Sequence, residues 1–382
     1  MREIALYIHV PFCIQKCRYC DFVSYPYLQP ESISDYFKVL TQELQIRTEN
    51  DKLQNVVLKS IYFGGGTPSL VSPEILNDFL LLLRQNFRFS ESIEITVEAN
   101  PGTLNSEKIR EFAHLGVNRL SIGIQSFQNR FLSFLGRAYR EKEVHNLLTE
   151  LIDTGLFLNW SFDLMYGLPF QTFSDWKKEM EHLLMYQPPH FSLYNLTLSH
   201  QVPLRIFLKK HLALFPGQDW EASIYRWTQQ ILRKYGYRRY EISNFAKPGY
   251  ECLHNLTYWR NQEYLGLGVS SSSYLGGIRM RNASTLSHYQ KRIKNCQSPV
   301  VTKDILNLKQ KLAEEMILAL RTSEGVETEK LFKTYPESLV QEKLIQLEDF
   351  AQSHFIHERE GRWILTSRGT LIANQLFLEI LD

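Results

Sequence analysis

The 382-residue chain contains no apolar run long enough to cross a bilayer. Its longest runs, such as Phe79 to Leu83, stop far short of the roughly 20 residues that a membrane helix needs. No charge of one sign dominates: 43 Lys and Arg oppose 41 Asp and Glu, a net charge of +2. Bulk-charge gripping of a phosphate backbone is therefore disfavoured, and no nucleic-acid partner is expected. The opening Met1-Arg2-Glu3 lacks the charged, apolar and small-residue sections of a signal peptide. Cysteine is scarce and odd in number, five in all, which does not make a secreted disulfide framework. These absences lead us to expect a cytoplasmic globular protein without stable membrane insertion. Its 44% hydrophobic content suffices for one large core or two smaller ones.

What is present is a repeating order of short β-rich runs and helical stretches. Strands are expected at Ala5 to Val10, Ser60 to Phe63, Ile93 to Glu98, Arg119 to Gln125, Leu158 to Met165 and His190 to Leu196. Between them lie helix signals, such as Asn105-Ser106-Glu107 before a periodic stretch ending at Leu115-Gly116, and Glu143 to Asp153 followed by Thr154-Gly155. Six such units predict parallel strands with crossover helices, an α/β fold of the partial (β/α)6 barrel kind. A helix is expected over Trp220 to Tyr235, followed by an irregular aromatic-rich stretch to Tyr274. From about residue 303 the order changes. Helices over Ile305 to Thr322 and Thr328 to Tyr335, a hairpin from His354 to Leu365 and a closing helix from Thr366 to Leu381 resemble a small winged-helix-like α+β domain. The expected division is a core barrel over 1–235, an extension over 236–302 and a carboxy-terminal domain over 303–382.

The unusual residues follow or end the expected strands. After the first comes Cys13-x3-Cys17-x2-Cys20, three thiolates on one loop. Soft sulfur ligands at this spacing suit an iron–sulfur cube with one iron left open. A structural zinc site is the alternative, and needs His9 or Asp21 as a fourth ligand. Cys252 and Cys296 stand apart and read as buried small hydrophobes. After the second strand, Gly64-Gly65-Gly66-Thr67-Pro68 allows close backbone approach, with N–H groups suited to a carboxylate and C=O groups to an amine. A plain tight turn is the simpler reading of the same residues. Glu98, Gln125 and Asp163 lie on later strands and Arg137 on a loop. Each alone also fits a surface or capping residue, but in a β/α barrel polar groups at the carboxyl ends of strands read as a site.

Tyr7-Ile8-His9-Val10-Pro11-Phe12 precedes the cysteines, and Tyr19 sits directly before Cys20. Here the sequence resembles the radical S-adenosylmethionine superfamily. The resemblance implies a [4Fe–4S] cluster on Cys13, Cys17 and Cys20 whose open iron chelates S-adenosylmethionine, which reduction cleaves to a 5′-deoxyadenosyl radical. Further segments, Ile95 to Gly102, Ser121 to Phe127, Leu135-Gly136-Arg137 and Phe162 to Pro169, resemble the oxygen-independent coproporphyrinogen III oxidase family over nearly the whole chain. That likeness implies S-adenosylmethionine contacts from Tyr7, Tyr19, Gly65, Gly66, Thr67, Glu98, Gln125, Arg137 and Asp163.

Two features divide that family. The oxidases carry a fourth cysteine two places after the third, where this chain has Asp21-Phe22. The haem-chaperone branch has the Cys-Asp-Phe form with a later His-Asn-x-x-Tyr-Trp motif, found here as His254-Asn255-Leu256-Thr257-Tyr258-Trp259. The resemblance therefore implies haem binding, with His254 as axial ligand and Tyr258 and Trp259 as walls, and transfer to haem-accepting proteins. A core histidine among aromatics is the plainer reading of that motif. Oxidative decarboxylation of coproporphyrinogen III is the alternative activity, and a radical enzyme acting on tRNA is disfavoured by the charge balance. Tyr139, Ser199-His200 and Ser270 to Ser273 depart from the family pattern. The last two put substrate-side or haem-side contacts in doubt. The closing helix lacks a basic face, so its domain is expected to dock partners or act as a lid rather than read DNA.

Overall fold

A computed structural model describes residues 2–26, 29–197, 202, 204–205 and 215–381. All six expected strands form, as β1 (Arg2–Val10), β2 (Val56–Gly65), β3 (Arg88–Ala99), β4 (Arg119–Gln125), β5 (Asn159–Tyr166) and β6 (His190–Asn195). Each pairs in parallel with the next. Ile4, Ala5, Leu6, Ile8 and Val10 of β1 are all buried, the near-continuous burial expected of a parallel strand covered on both faces. The crossover helices carry their own stop and start signals. Asn105 accepts from the Lys108 amide at the start of Ser106–His114, Thr172 and Asp175 form a capping box for Phe173–Tyr186, and Gly155 ends Glu141–Thr154 at φ 61°.

A seventh strand, β7 (Tyr264–Leu267), pairs in parallel with β1 on the opposite side from β2. The sequence gives no strand signal there beyond four residues, Tyr-Leu-Gly-Leu. Its order comes from the tertiary partner, through Ala5 opposite Tyr264 and Ile8 opposite Leu267. Antiparallel strands Ser272–Leu275 and Ile278–Asn282, then Val300–Ile305, extend the sheet beyond it.

That extension is bolted to the first helix, Pro30–Asn50, by a buried polar network. Glu43, fully buried, accepts from the Gly268 amide at 2.6 Å, Asn282 Nδ2 at 2.6 Å and Tyr289 Oη at 2.5 Å. Arg47 donates to Ser273 Oγ at 3.2 Å, and Ser271 Oγ accepts from Asn282 at 3.0 Å. Ser271 and Ser273 are thus internal struts. Tyr36 donates to the His9 carbonyl at 2.8 Å and accepts from the Val269 amide at 3.1 Å, so the network reaches the strand that leads into the cysteine loop.

The chain divides into two compact units, 1–221 with 263–303 and 222–262 with 304–382. This differs from the expected three consecutive segments: the stretch 236–302 is shared. Its second half is tied to the barrel by β7. Its first half joins the carboxy-terminal unit, where Ser323 donates to the Tyr240 carbonyl at 2.9 Å, Arg260 pairs with Glu324 at 2.5 Å and Ile242 packs on that unit's apolar core. Linear composition does not register such a long-range return.

The carboxy-terminal unit contains the expected hairpin, Ile356–Arg359 with Arg362–Leu365, turning at Gly361 (φ 74°), and Val326–Glu327 completes a three-stranded antiparallel sheet. A helix not anticipated, Glu337–Gln352, packs Val340, Leu347 and Phe350 inward. Its apolar stripe is interrupted by Lys343, which is buried and donates to the Ile380 carbonyl at 2.7 Å, and Pro336 stands where a polar cap would mark the start. The closing helix is two helices, Ser367–Leu371 and Ala373–Leu381. Among the described residues, no helix is long and apolar enough to cross a membrane.

Removing the Glu43 carboxylate strands three buried donors on separate elements. Glu43→Ala is expected to destabilise this unit by about 3 kcal/mol, read as a lower midpoint of chemical unfolding. A midpoint unchanged from wild type contradicts the strut role.

Candidate functional site

Parallel register and the two-residue alternation of strand side chains place Tyr7 and His9 of β1, Tyr62 and Gly64 of β2, Glu98 of β3, Gly123 and Gln125 of β4, and Asp163 of β5 at the carboxyl end of the sheet. Glu98 ties β2 to β3. Its Oε1 accepts from Tyr62 Oη at 2.9 Å and its Oε2 from the Gly65 amide at 2.9 Å. Burial, then the charge of Asp163, pushes its carboxyl up to about 7. Burial likewise raises Asp163 to about 6, against a hydrogen bond from Ser192 and the charges of Arg119 and Arg137. Gln125 ends β4 in the left-handed region, at φ 67°, just past a register shift. That conformation is costly for a non-glycine residue and turns the chain at the strand's end.

The glycine loop corrects one expectation. The Gly65 amide serves Glu98, the Gly66 amide donates to the Val10 carbonyl at 2.8 Å and the Thr67 amide to the Phe12 carbonyl at 2.7 Å. These amides are spoken for, so what the loop can offer is carbonyl oxygen, which suits an ammonium and not a carboxylate. Close approach explains the glycines. A Cβ on Gly65, at φ 110°, would stand 2.4 Å from the His9 ring, and one on Gly66 would stand 2.6 Å from the Phe12 carbonyl.

Cys13, Cys17 and Cys20 are free thiols, all partly buried, on the loop after β1. Burial raises the Cys13 thiol and pushes Cys20 up to about 11. The loop is pinned from several sides: the Arg18 amide donates to the Leu135 carbonyl at 3.0 Å, and His9 Nε2 meets the Val23 carbonyl at 2.8 Å. His9 Nδ1 meets Tyr7 Oη at 3.0 Å, so both ring nitrogens are engaged and His9 is not placed to complete a zinc site. No three His, Cys, Asp or Glu side chains among the described residues converge on a single ion. A cluster asks for something different, one thiolate at each of three corners, and three thiols along one loop fit that donor set. Phe22, where the oxidases carry cysteine, is 60% exposed.

Arg137, buried, lies against the loop. It donates to Cys17 Sγ at 3.2 Å, Tyr19 Oη at 3.2 Å, Tyr139 Oη at 2.6 Å, the Gly123 carbonyl at 2.6 Å and Asn100 Oδ1. Tyr139, a departure from the family pattern, turns its hydroxyl to the Ile124 carbonyl at 3.0 Å and so braces both Arg137 and β4. Sequence reasoning names His9 only as a candidate zinc ligand and leaves Tyr62, Asn100 and Tyr139 out of the site. Three of them stand two residues from a recognised one, His9 from Tyr7, Tyr62 from Gly64 and Asn100 from Glu98, and the strand period is the signal that finds them.

His254 belongs to the carboxy-terminal unit, on helix Leu253–Trp259. It is 1% exposed, and its Nε2 shares a hydrogen bond of 2.8 Å with Tyr258 Oη one turn on. Trp259 lies under the Arg321 guanidinium, 4.5 Å from the ring centre. Cys252 is fully buried as expected, whereas Cys296 is exposed, in a left-handed turn at φ 55°. Ser199-His200 lies outside the described residues.

Residues 7–183 match the Radical SAM superfamily, and residues 306–372 match the HemN C-terminal domain. The chain is 36% identical over 98% of its length, and 96% of the relative's, to the heme chaperone HemW of Lactococcus lactis. It is 35% identical to that of Bacillus subtilis over 97% of each chain. The chain belongs to the HemW family of radical S-adenosylmethionine proteins. The solved structure of coproporphyrinogen III oxidase (HemN) from Escherichia coli superposes with a TM-score of 0.86 at 22% identity, covering 99% of this chain and 90% of that one. This likeness shows that the two chains share a fold.

The raised carboxyls give a signed prediction. The folded state holds protons on Glu98 and Asp163 that the unfolded chain has released by about pH 5. Their contribution to stability is full below the ordinary carboxylate range and is lost as pH rises towards 6 to 7. The ligand-free protein is expected to lose stability across that interval, and Glu98→Gln with Asp163→Asn to flatten the loss. An unchanged slope in denaturant titrations at stepped pH contradicts the assignment.

Proposed function

We propose that this protein binds haem and hands it to haem-requiring acceptor proteins, as a chaperone that also carries a [4Fe–4S] cluster and S-adenosylmethionine. The observation carrying this reading is the full-length match to named heme chaperones. Phe22 in place of the oxidases' fourth cysteine supports it, as does the His254 to Trp259 motif.

In this reading Cys13, Cys17 and Cys20 hold the cluster. Tyr7, Tyr19, Gly65, Gly66, Thr67, Glu98, Gln125, Arg137 and Asp163 line the S-adenosylmethionine side. Cluster and cofactor together supply one-electron chemistry when bound. The chain's own contribution is electrostatic and positional: loop carbonyls and the Glu98 carboxyl meet an ammonium, and a cation there favours the carboxylate and releases its proton. Asp163 supplies a second acceptor on the next strand but one. Free thiols on the loop fit a reducing compartment, the cytoplasm.

His254 is the proposed axial ligand to haem. Its Nε2 is engaged by Tyr258, so ligation through that nitrogen requires the tyrosine hydroxyl to give way. Haem titration is the test. His254→Ala is expected to weaken binding about tenfold or more and change the absorption spectrum, while Tyr258→Phe, which removes the competing hydroxyl, is expected to tighten it. Unchanged affinity and spectrum in His254→Ala remove that residue from the role. Anaerobic reconstitution is expected to give about four irons and four sulfides per chain; stoichiometric zinc without sulfide overturns the cluster. Turnover of coproporphyrinogen III by the reduced, loaded protein transfers the assignment to the oxidase activity.

A further inference from the structure

We infer that Glu179 is a positioning residue for the S-adenosylmethionine side: its carboxylate clasps the turn after β4 and holds Gln125 in its strained conformation. The inference rests on the reading of Gln125 as a cofactor contact and deepens it.

The Ser126 amide donates back to the Ile124 carbonyl at 2.9 Å, which makes Gln125, at φ 67°, the centre of a three-residue turn. This is the rare form of that turn, and a glutamine persists there only where its surroundings over-determine it. Its side-chain amide lies beside the strand, since a Cβ on Gly123 would stand 3.3 Å from Gln125 Nε2. The turn thus sets the position of one polar side chain of the site.

What holds the turn comes from a crossover helix. Glu179, 1% exposed on Phe173–Tyr186, accepts through Oε1 from Ser126 Oγ at 2.5 Å and Gln128 Nε2 at 2.8 Å, and through Oε2 from the Phe127 amide at 2.7 Å. One carboxylate therefore grips the three residues that follow Gln125. Ser126 Oγ also accepts from the Gln128 amide at 3.0 Å, and Gln128 Nε2 reaches the Asp175 carbonyl at 3.1 Å, which closes the clasp.

An ionised carboxylate serves all three donors, whereas a neutral carboxyl does not, because the oxygen that carries the proton becomes a donor itself. Burial pushes Glu179 up to about 7 against the pull of these hydrogen bonds, so both forms are populated near neutrality. The other charged and titratable groups around the clasp are Asp175, paired with Arg130, and the rings of His182 and His145, 5.1 and 5.7 Å from that of Phe127. His145 in turn meets Tyr186 Oη at 2.5 Å and Glu141 at 3.6 Å. Asp175 opposes ionisation of Glu179. A ligand that needs Gln125 in place favours the ionised clasp and, by reciprocity, lowers the pH at which Glu179 ionises.

The experiment uses the full chain with its cluster reconstituted anaerobically and oxidised. Binding of S-adenosylmethionine is measured by calorimetry at pH 8 and pH 6 for wild type and Glu179→Gln. The variant is expected to bind about tenfold more weakly at pH 8 and within about twofold of wild type at pH 6, where wild-type Glu179 is itself largely neutral. Glu98, Asp163 and the two imidazoles are common to both proteins and cancel in the ratio. The same ratio at both pH values marks a merely structural contact and overturns the inference. In wild type, the Phe127 backbone amide followed by NMR is expected to titrate near pH 7, and at lower pH once S-adenosylmethionine is bound. A midpoint that S-adenosylmethionine leaves unmoved also overturns the inference, even where the variant fails to fold. Wild type that binds no S-adenosylmethionine at either pH defeats the underlying cofactor reading instead.

Discussion

Side chains of a β-strand alternate between faces, and parallel pairing in register converts that alternation into a shared polar floor. Tyr7 lies opposite Tyr62, Glu98 opposite Ser121, Ser121 opposite Ser161, and Asp163 opposite Ser192. A slip of one residue on any strand would exchange its polar set for the apolar one. The gathering of these side chains depends on that register, and the buried Glu43 network ties the strands beyond β7 to the first helix beside it.

The floor gathers charges that water would otherwise solvate. Burial pushes both Glu98 and Asp163 towards protonation, aided at Glu98 by the charge of Asp163, while Arg119 draws both the other way and Arg137 draws Asp163. Such a set is poised to exchange protons for a bound cation, since an ammonium at Glu98 replaces the compensation that the proton supplies. The glycine loop complements this sign. Its amides are occupied within the protein, and its carbonyl oxygens add partial negative charge where the carboxylates already are.

Much of this was legible in the sequence, because the signals are local and covalent: three cysteines in eight positions, three glycines after an apolar run, and a polar residue near the end of each later strand. The six strands could be read for the same reason, as near-continuous apolar runs between turn signals. What could not be read is whatever a distant partner decides. The strand Tyr264–Leu267 is too short to declare itself, and the return of residues 222–262 to the carboxy-terminal unit rests on contacts such as Arg260 with Glu324. Lys343 hides a helix because a buried lysine reads as exposed until the Ile380 carbonyl that receives it is known. The occupied amides at Gly65, Gly66 and Thr67 belong to the same class, since glycine spacing reveals a close approach but not what approaches.

The cysteine loop shows how the two kinds of information combine. Burial pushes Cys13 and Cys20 away from ionisation, Cys20 up to about 11, whereas cluster ligation demands thiolates. A flexible loop would have to meet that cost and the cost of ordering together. Here the ordering is already done by backbone and imidazole contacts at Arg18 and Val23, and one of the three sulfurs already has a guanidinium donating to it. Arg137 is itself held by Tyr19, Tyr139, Asn100 and Gly123. The departure from the family pattern at Tyr139 thus reaches the cysteine loop through one arginine, which donates both to the Tyr139 hydroxyl and to the Cys17 sulfur.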